Sequence, residues 1–194
     1  MKGNYNAMDI AFRLIELDKS NKHGYTFQHE SINRNEDTIG YDTLNYYKLT
    51  EILYIAQGLH LALYDVPLFK DDIYVDYNTE PRINAIHEVF GEYIKSDRDI
   101  TLELEKSAHL NTHSIVVFGN TDCFIENVYN NFASLSNWKL HSLIINNRSG
   151  VVSPMKFIYP NKPIELDVIK RYFKNEMLCG YLKNAARYKI IYED

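Results

Sequence analysis

Apolar residues recur at three- and four-residue intervals in several separate stretches of the chain, and polar stretches lie between them. Ile10, Leu14 and Leu17 form one such stripe and predict a first helix over 7–18. Residues 19–41 are polar and carry no sustained period, which reads as a long loop or inserted segment. The strongest helical pattern follows. Leu49, Ile52, Leu53, Ala56, Leu59 and Leu63 share a stripe that Ile55 and Leu61 widen. A helix over 43–64, capped by Asp42 or Thr43, is therefore expected to be central and buried on most sides. Asp65-Val66-Pro67 ends it, because proline has no amide donor and disfavours a helical residue before it.

Residues 73–77 read as extended. Thr79, Glu80 and Pro81 then give a helix start, with an acid and a proline in the first turn, where the free N–H groups favour them. Ile83, Ile86, Val89, Phe90 and Tyr93 supply the apolar face of that helix. The alternation ITLELE at 100–105 and the β-branched run at 114–118 predict two short strands. Helices resume over 122–134, 136–145 and 165–175, with a loop rich in turn formers between the last two. The tail at 181–194 has no single reading. The expected fold class is mainly α: a compact helical domain with a small β-hairpin or short-strand element, α+β at the margin.

Composition narrows the picture. A chain of 194 residues with 45% hydrophobic and 24% charged positions suits a single domain, 1–194, that stabilises its core without disulfides or structural metal. Within it, 19–41 reads as an insertion and 176–194 as a C-terminal extension. Cys123 and Cys179 form no CxxC pair, which excludes a zinc ribbon and a thioredoxin-type site and fits a reducing compartment. The first 20 residues lack the apolar run of a signal peptide, and no window approaches the apolar length of a membrane span. A cytoplasmic protein with no membrane partner is expected. The net charge of −5, with basic residues scattered, argues against a nucleic-acid partner, whose phosphates call for clustered Lys and Arg.

Candidate chemistry is sparse. His109 and His113 have the i,i+4 spacing of metal ligands but no carboxylate at a familiar distance, and His87-Glu88 lacks the second histidine of HExxH. No nucleophile elbow, Walker A loop or dinucleotide turn is present. No metal and no cofactor is expected. His60, at the border of the apolar stripe, is expected to be partly buried and hydrogen-bonded, and nothing marks either cysteine as a nucleophile. An enzyme would need His60, His87 or Cys123 in a cleft with perturbed acidity. Sixteen tyrosines stand against one tryptophan. Tyr46, Tyr47, Tyr74, Tyr77 and Tyr93 are either half-buried core residues or part of a binding surface.

Residues 48–69, KLTEILYIAQGLHLALYDVPLF, followed by Asp71 and Asp72, resemble the signature of the Panacea domain, the family of SocA- and PanA-type antitoxins and phage-associated GepA-like proteins. The likeness extends over Asp9-Ile10-Ala11, the 77–83 turn YNTEPRI, residues 128–143 and residues 164–173, and so spans about residues 8 to 175. It implies a non-enzymatic protein-binding module, the antitoxin that neutralises a cognate protein toxin by direct contact; an adaptor that delivers its partner to a protease, or a phage or mobile-element protein with a changed partner, is the alternative. The chain departs from the pattern at Glu51 (lysine), Leu59 (tryptophan), Glu80 and Arg82 (glycine and valine), Ile144-Ile145 (Thr-His) and Met155 (tryptophan). Through the resemblance, Tyr77, Glu80, Pro81, Arg82, Pro154 and Met155 are expected to lie at the partner-binding turns.

Overall fold

The computed structural model describes residues 5–25, 44–76, 78–96, 100–101, 104, 119–146, 152–157 and 162–178. Along these residues run α1 (Ala7–Tyr25), α2 (Tyr46–Tyr64), β1 (Ile73–Val75), β2 (Pro81–Ile83), α3 (Asn84–Phe90), a 3-10 stretch (Gly91–Ser96), α4 (Asn120–Phe132), α5 (Asn137–Ile145), the short α6 (Pro154–Phe157) and α7 (Leu166–Leu178). The protein is mainly helical, with one small antiparallel sheet.

Helix α2 is the hub. Its start is set by Asn45, whose side chain accepts from the Lys48 amide at 2.9 Å, one of the donors a helix leaves unpaired at its first turn. Its end is set by Asp65, which adopts a left-handed conformation (φ 60°) and donates its amide to Leu61. Between the caps, Leu49, Ile52, Leu53, Tyr54, Ile55 and Ala56 are all at most 1% exposed, because α1, α4, α5 and α7 surround the helix. Its most extensive packing is against α7. At Gly58 an added Cβ would stand 2.1 Å from the Phe173 ring, so only glycine lets the two helices come this near.

Buried polar groups then tie the flanking loops to this hub. Gln57, fully buried, accepts from the Leu68 and Phe69 amides at 2.8 and 3.2 Å and donates to the Phe69 carbonyl at 3.0 Å. One side chain thus satisfies three backbone groups of the segment leaving α2. Asp18 on α1 accepts from Thr101 Oγ1 at 2.7 Å and from the Tyr129 hydroxyl at 2.9 Å, which joins α1, α4 and the helical residues at 100–101.

In the sheet, Ile73 faces Ile83, Tyr74 faces Arg82 and Val75 faces Pro81. On the other side of β1, the Ile164 amide donates to the Ile73 carbonyl at 2.7 Å. Ile73, Val75 and Ile83 point into the core while Tyr74 and Arg82 share the half-buried face.

Four expectations need correction. Helix α1 runs to Tyr25, well past residue 18; its last turns are supported by local bonds such as Ser20 Oγ to the Glu16 carbonyl at 2.9 Å, which leave no mark in the apolar pattern. The apparent helix start at Thr79-Glu80-Pro81 is a hairpin turn. Thr79 sits at φ 63°, the Asp76 amide donates to the Glu80 carbonyl at 2.8 Å, and the helix begins only at Asn84. Ile100, Thr101 and Leu104 are helical, because Ile100 and Leu104 stand four apart, a spacing that fits one helical face as well as it fits alternation. Leu63, counted in the buried stripe, is 43% exposed. The 114–118 run, the tail and most of the 19–41 segment (26–41) lie outside the described residues. Among the described residues, no helix is long and apolar enough to cross a membrane.

Candidate binding site around Glu51, Glu80 and His141

Within the buried stretch of α2 stands one carboxylate, Glu51, with its side chain only 3% exposed. Burial of a charge in apolar surroundings demands a partner. Its partner comes from α5: His141 Nδ1 lies 3.1 Å from Glu51 Oε1, an imidazole N–H donating to the carboxylate. The histidine is at the surface end of the pair, 27% exposed. The other oxygen, Glu51 Oε2, is buried and has no hydrogen-bond partner.

Glu80, on the hairpin turn, lies within electrostatic reach of this pair. Its carboxyl is half-buried and is pushed up to about 7, first by burial and then by the nearby Glu51 charge, with His141 acting in the opposite direction. Burial likewise raises Glu51, against the downward pull of His141 and Lys48. The Glu51 hydrogen bond raises His141 above the usual imidazole value. Asp76 and Arg82 lie close enough to act on the neighbouring Tyr46, whose buried hydroxyl is raised and hydrogen-bonds His87 Nδ1 at 3.2 Å. Lys48, buried on the same helix, donates from Nζ to the Ala133 carbonyl at 2.9 Å. The result is a buried acid–imidazole pair drawn from α2 and α5, with the Glu80 carboxyl of the hairpin turn in its electrostatic surroundings.

Beside it, Trp138 is 75% exposed. It precedes His141 by three residues on α5, so the two side chains are neighbours on the helix surface. Leu140 and Ile144 bury the opposite stripe.

Of the residues expected at a partner surface, Tyr77 lies outside the described residues. Glu80 lies in the electrostatic surroundings of the Glu51–His141 pair. Pro81 is buried opposite Val75, and Arg82 is half-buried with an Nε that has no hydrogen-bond partner. Pro154 and Met155 depart from expectation: both are buried, Met155 at 1% exposure. Ser153 donates to the Ile144 carbonyl at 2.5 Å and accepts from the Met155 amide at 3.2 Å, which turns α6 onto α5 and α7 and sends Met155 into the core instead of toward a partner. Their role in this structure is packing.

Of the residues an enzyme would need, His60 and His87 are engaged separately. His60 Nδ1 is 2.6 Å from the Val66 carbonyl, its ring packs against Tyr64 and Phe124, and burial holds its pKa down. His87 pairs with Tyr46, and Cys123 is an exposed free thiol. Among the described residues no three His, Cys, Asp or Glu side chains are grouped to hold a metal; His109 and His113 lie outside them.

Glu51, His141 and Trp138 were not singled out as site residues by pattern. A signal for Glu51 existed, since it is a lone acid in the most apolar helix. His141 carried none, because its partner is 90 positions away. Comparison with known proteins finds no matching family model, no curated relative and no solved structure similar to this chain.

Proposed function

We propose that this protein is a binding module that acts by direct contact with another protein, and that its biological role is that of an antitoxin neutralising a cognate toxin. The observation that carries the binding part is Trp138. Its indole is three-quarters exposed, three residues from His141 on the same helix, and tryptophan is the residue most enriched where interfaces concentrate their energy. The Panacea-like segments at 48–69 and 128–143 support the antitoxin part; the second of these contains Trp138 itself.

Neutralisation of this kind needs no bond-making chemistry. An antitoxin holds its toxin in an inactive arrangement by as much free energy as it binds that arrangement over the active one. An acidic chain meeting a basic toxin also gains encounter rate from charge complementarity.

The test is to co-express the chain with each neighbouring gene of its genome, scoring growth and co-purification. The expected result is one neighbour that is toxic alone, harmless together with this chain and recovered as a complex. If no neighbour is toxic and none co-purifies, the antitoxin reading is wrong. Loss of the partner only when a particular protease is present would shift the role to that of an adaptor.

A further inference from the structure

The two ends of α5 are held to the body of the protein by different chemistry. At the C-terminal end the Tyr172 hydroxyl donates to the Leu143 and Ile144 carbonyls at 3.3 and 3.2 Å, and Ser153 Oγ donates to the Ile144 carbonyl at 2.5 Å. Neither kind of bond changes charge near neutral pH. Toward the other end Trp138 and Lys139 are exposed, and His141 ties the helix to α2 through Glu51, Nδ1 to Oε1 at 3.1 Å. Glu51 is 2% exposed, its Oε2 has no hydrogen-bond partner, and among the described residues His141 alone hydrogen-bonds its carboxylate. A protonated ring neutralises that buried charge. A neutral ring still donates its N–H but leaves the carboxylate inside without a counter-ion, which is the costly way to bury an acid. Nine residues are also too few for α5 to hold itself together in water.

We propose that the Glu51–His141 contact is a proton-held latch: the charged imidazole fastens the first turns of α5 on α2, and loss of its proton as the pH rises lets those turns, Trp138 among them, come away. The C-terminal end stays pinned by Tyr172 and Ser153, so the opening is local. Trp138 links the latch to the binding reading above, but the device itself needs no partner.

The groups around the pair fix the direction. The Glu51 bond is the largest influence on His141 and raises it above the usual imidazole value. The closed state therefore binds the proton more tightly than the open one; its advantage is complete below about pH 6.5 and is lost as pH rises through the higher folded value. Lys48 on α2 acts on Glu51 and donates from Nζ to the Ala133 carbonyl at 2.9 Å; lysine ordinarily titrates far above this range. Glu80 on the hairpin turn, pushed up to about 7 chiefly by burial, ionises within the range and acts on His141 in the direction that keeps its proton. Asp76 on the hairpin acts on Glu80, and aspartate ordinarily titrates far below the range.

The experiment is hydrogen exchange of the full chain between pH 6 and pH 9, corrected for the intrinsic pH dependence of exchange, with the imidazole nitrogen shifts of His141 followed by NMR over the same range. Protection over 137–145 should fall at least about fivefold more than protection in α1 and α4, and by no more than about tenfold per pH unit, the limit for one proton. The fall should coincide with the titration of His141, above the ordinary imidazole value of about 6.5. Glu51→Gln keeps the shape and the acceptor oxygen but removes the buried charge, so it should fold and hold α5 equally well across the range. Glu80→Gln removes the other group that titrates there and should leave the α5 response in place.

Protection that falls equally in α5, α1 and α4, a His141 titration at or below the ordinary value, an α5 response that persists in Glu51→Gln, or one that disappears in Glu80→Gln overturns the proposal. The co-expression result is independent of all four. A neutralised partner together with a pH-indifferent α5 removes the latch alone, and a pH-dependent α5 with no toxic neighbour removes the antitoxin role alone.

Discussion

Replacing Gly58 by alanine tests the tight contact between α2 and α7. On helix propensity alone, alanine in a helix interior is favoured over glycine by about 1 kcal/mol. Here the new Cβ would lie 2.1, 2.2 and 2.6 Å from three ring atoms of Phe173. Ordinary carbon–carbon contact is about 3.5–4.0 Å, so the overlap exceeds about 1 Å at its worst point. The ring has nowhere to turn: Phe173 is 2% exposed and packs edge-on to Tyr54 at 5.3 Å and to Tyr172 at 5.4 Å. Helix α7 must therefore back away from α2, which spreads the strain over the most extensive helix pair of the fold. Overpacking of this kind costs about 1–3 kcal/mol, and with a clash this deep we take the upper end, leaving a net loss of about 2 kcal/mol after the propensity gain.

For a chain of this size that loss corresponds to a Tm lower by about 4–8 °C, measurable by circular dichroism or by urea titration. A double-mutant cycle with Phe173→Leu makes the reasoning specific. Phe173→Leu alone is expected to destabilise, but in that background Gly58→Ala should be neutral or stabilising, because the ring that excluded the methyl group is gone. A Gly58→Ala protein as stable as the parent, or a cost that persists unchanged when combined with Phe173→Leu, would refute the account.

Gln57→Leu should be more damaging than its size suggests, lowering stability by about 2–4 kcal/mol in urea unfolding, since two amides and a carbonyl of the Leu68–Phe69 segment lose their buried side-chain partner. Trp138→Ala should leave stability within about 0.5 kcal/mol, as expected of an exposed position, while weakening capture of the cognate partner about 30-fold or more in a pull-down titration. The stability profile against pH should slope downward through the neutral range. Glu80, Glu51 and His141 all have raised folded-state pKa values, so each binds its proton more tightly folded than unfolded, and their contribution is present at low pH and lost as pH rises. For Glu80 the window runs from about 4.5 to about 7, and Glu80→Gln should flatten that part of the curve and make the protein more stable than the parent at about pH 8.

Much of the helical framework was legible before any coordinates, because it depends on neighbours within one or two turns. The stripe from Leu49 to Leu61 needs a surface on which to repeat, and Val66-Pro67 cannot continue a helix in any context. Ser136 caps α5 by accepting from the Lys139 amide, a bond whose two ends lie three residues apart. Where two local meanings compete, packing decided. Thr79-Glu80-Pro81 carries helix-start chemistry, yet pairing of Val75 with Pro81 and burial of Ile73 and Ile83 make it the turn of a hairpin. Pro154-Met155 is expected, through the resemblance, at a partner-binding turn, yet Ser153 is held by a carbonyl of another helix, and Met155 enters the core as a result.

The candidate site lies entirely on the second side of that division. Glu51 and His141 are 90 positions apart, and Glu80 joins them from a hairpin whose register no local rule specifies. Hydrophobic periodicity records which face of each element is buried, through free energies that sum over neighbouring residues. It does not record which polar groups meet when those faces come together, and a carboxylate changes its acidity only once packing has removed its water and set another charge beside it. Local pattern was enough to specify a helical scaffold built around α2. That one buried acid of this helix shares its surroundings with His141, Glu80 and the exposed indole of Trp138 follows only from how the helices and the hairpin pack.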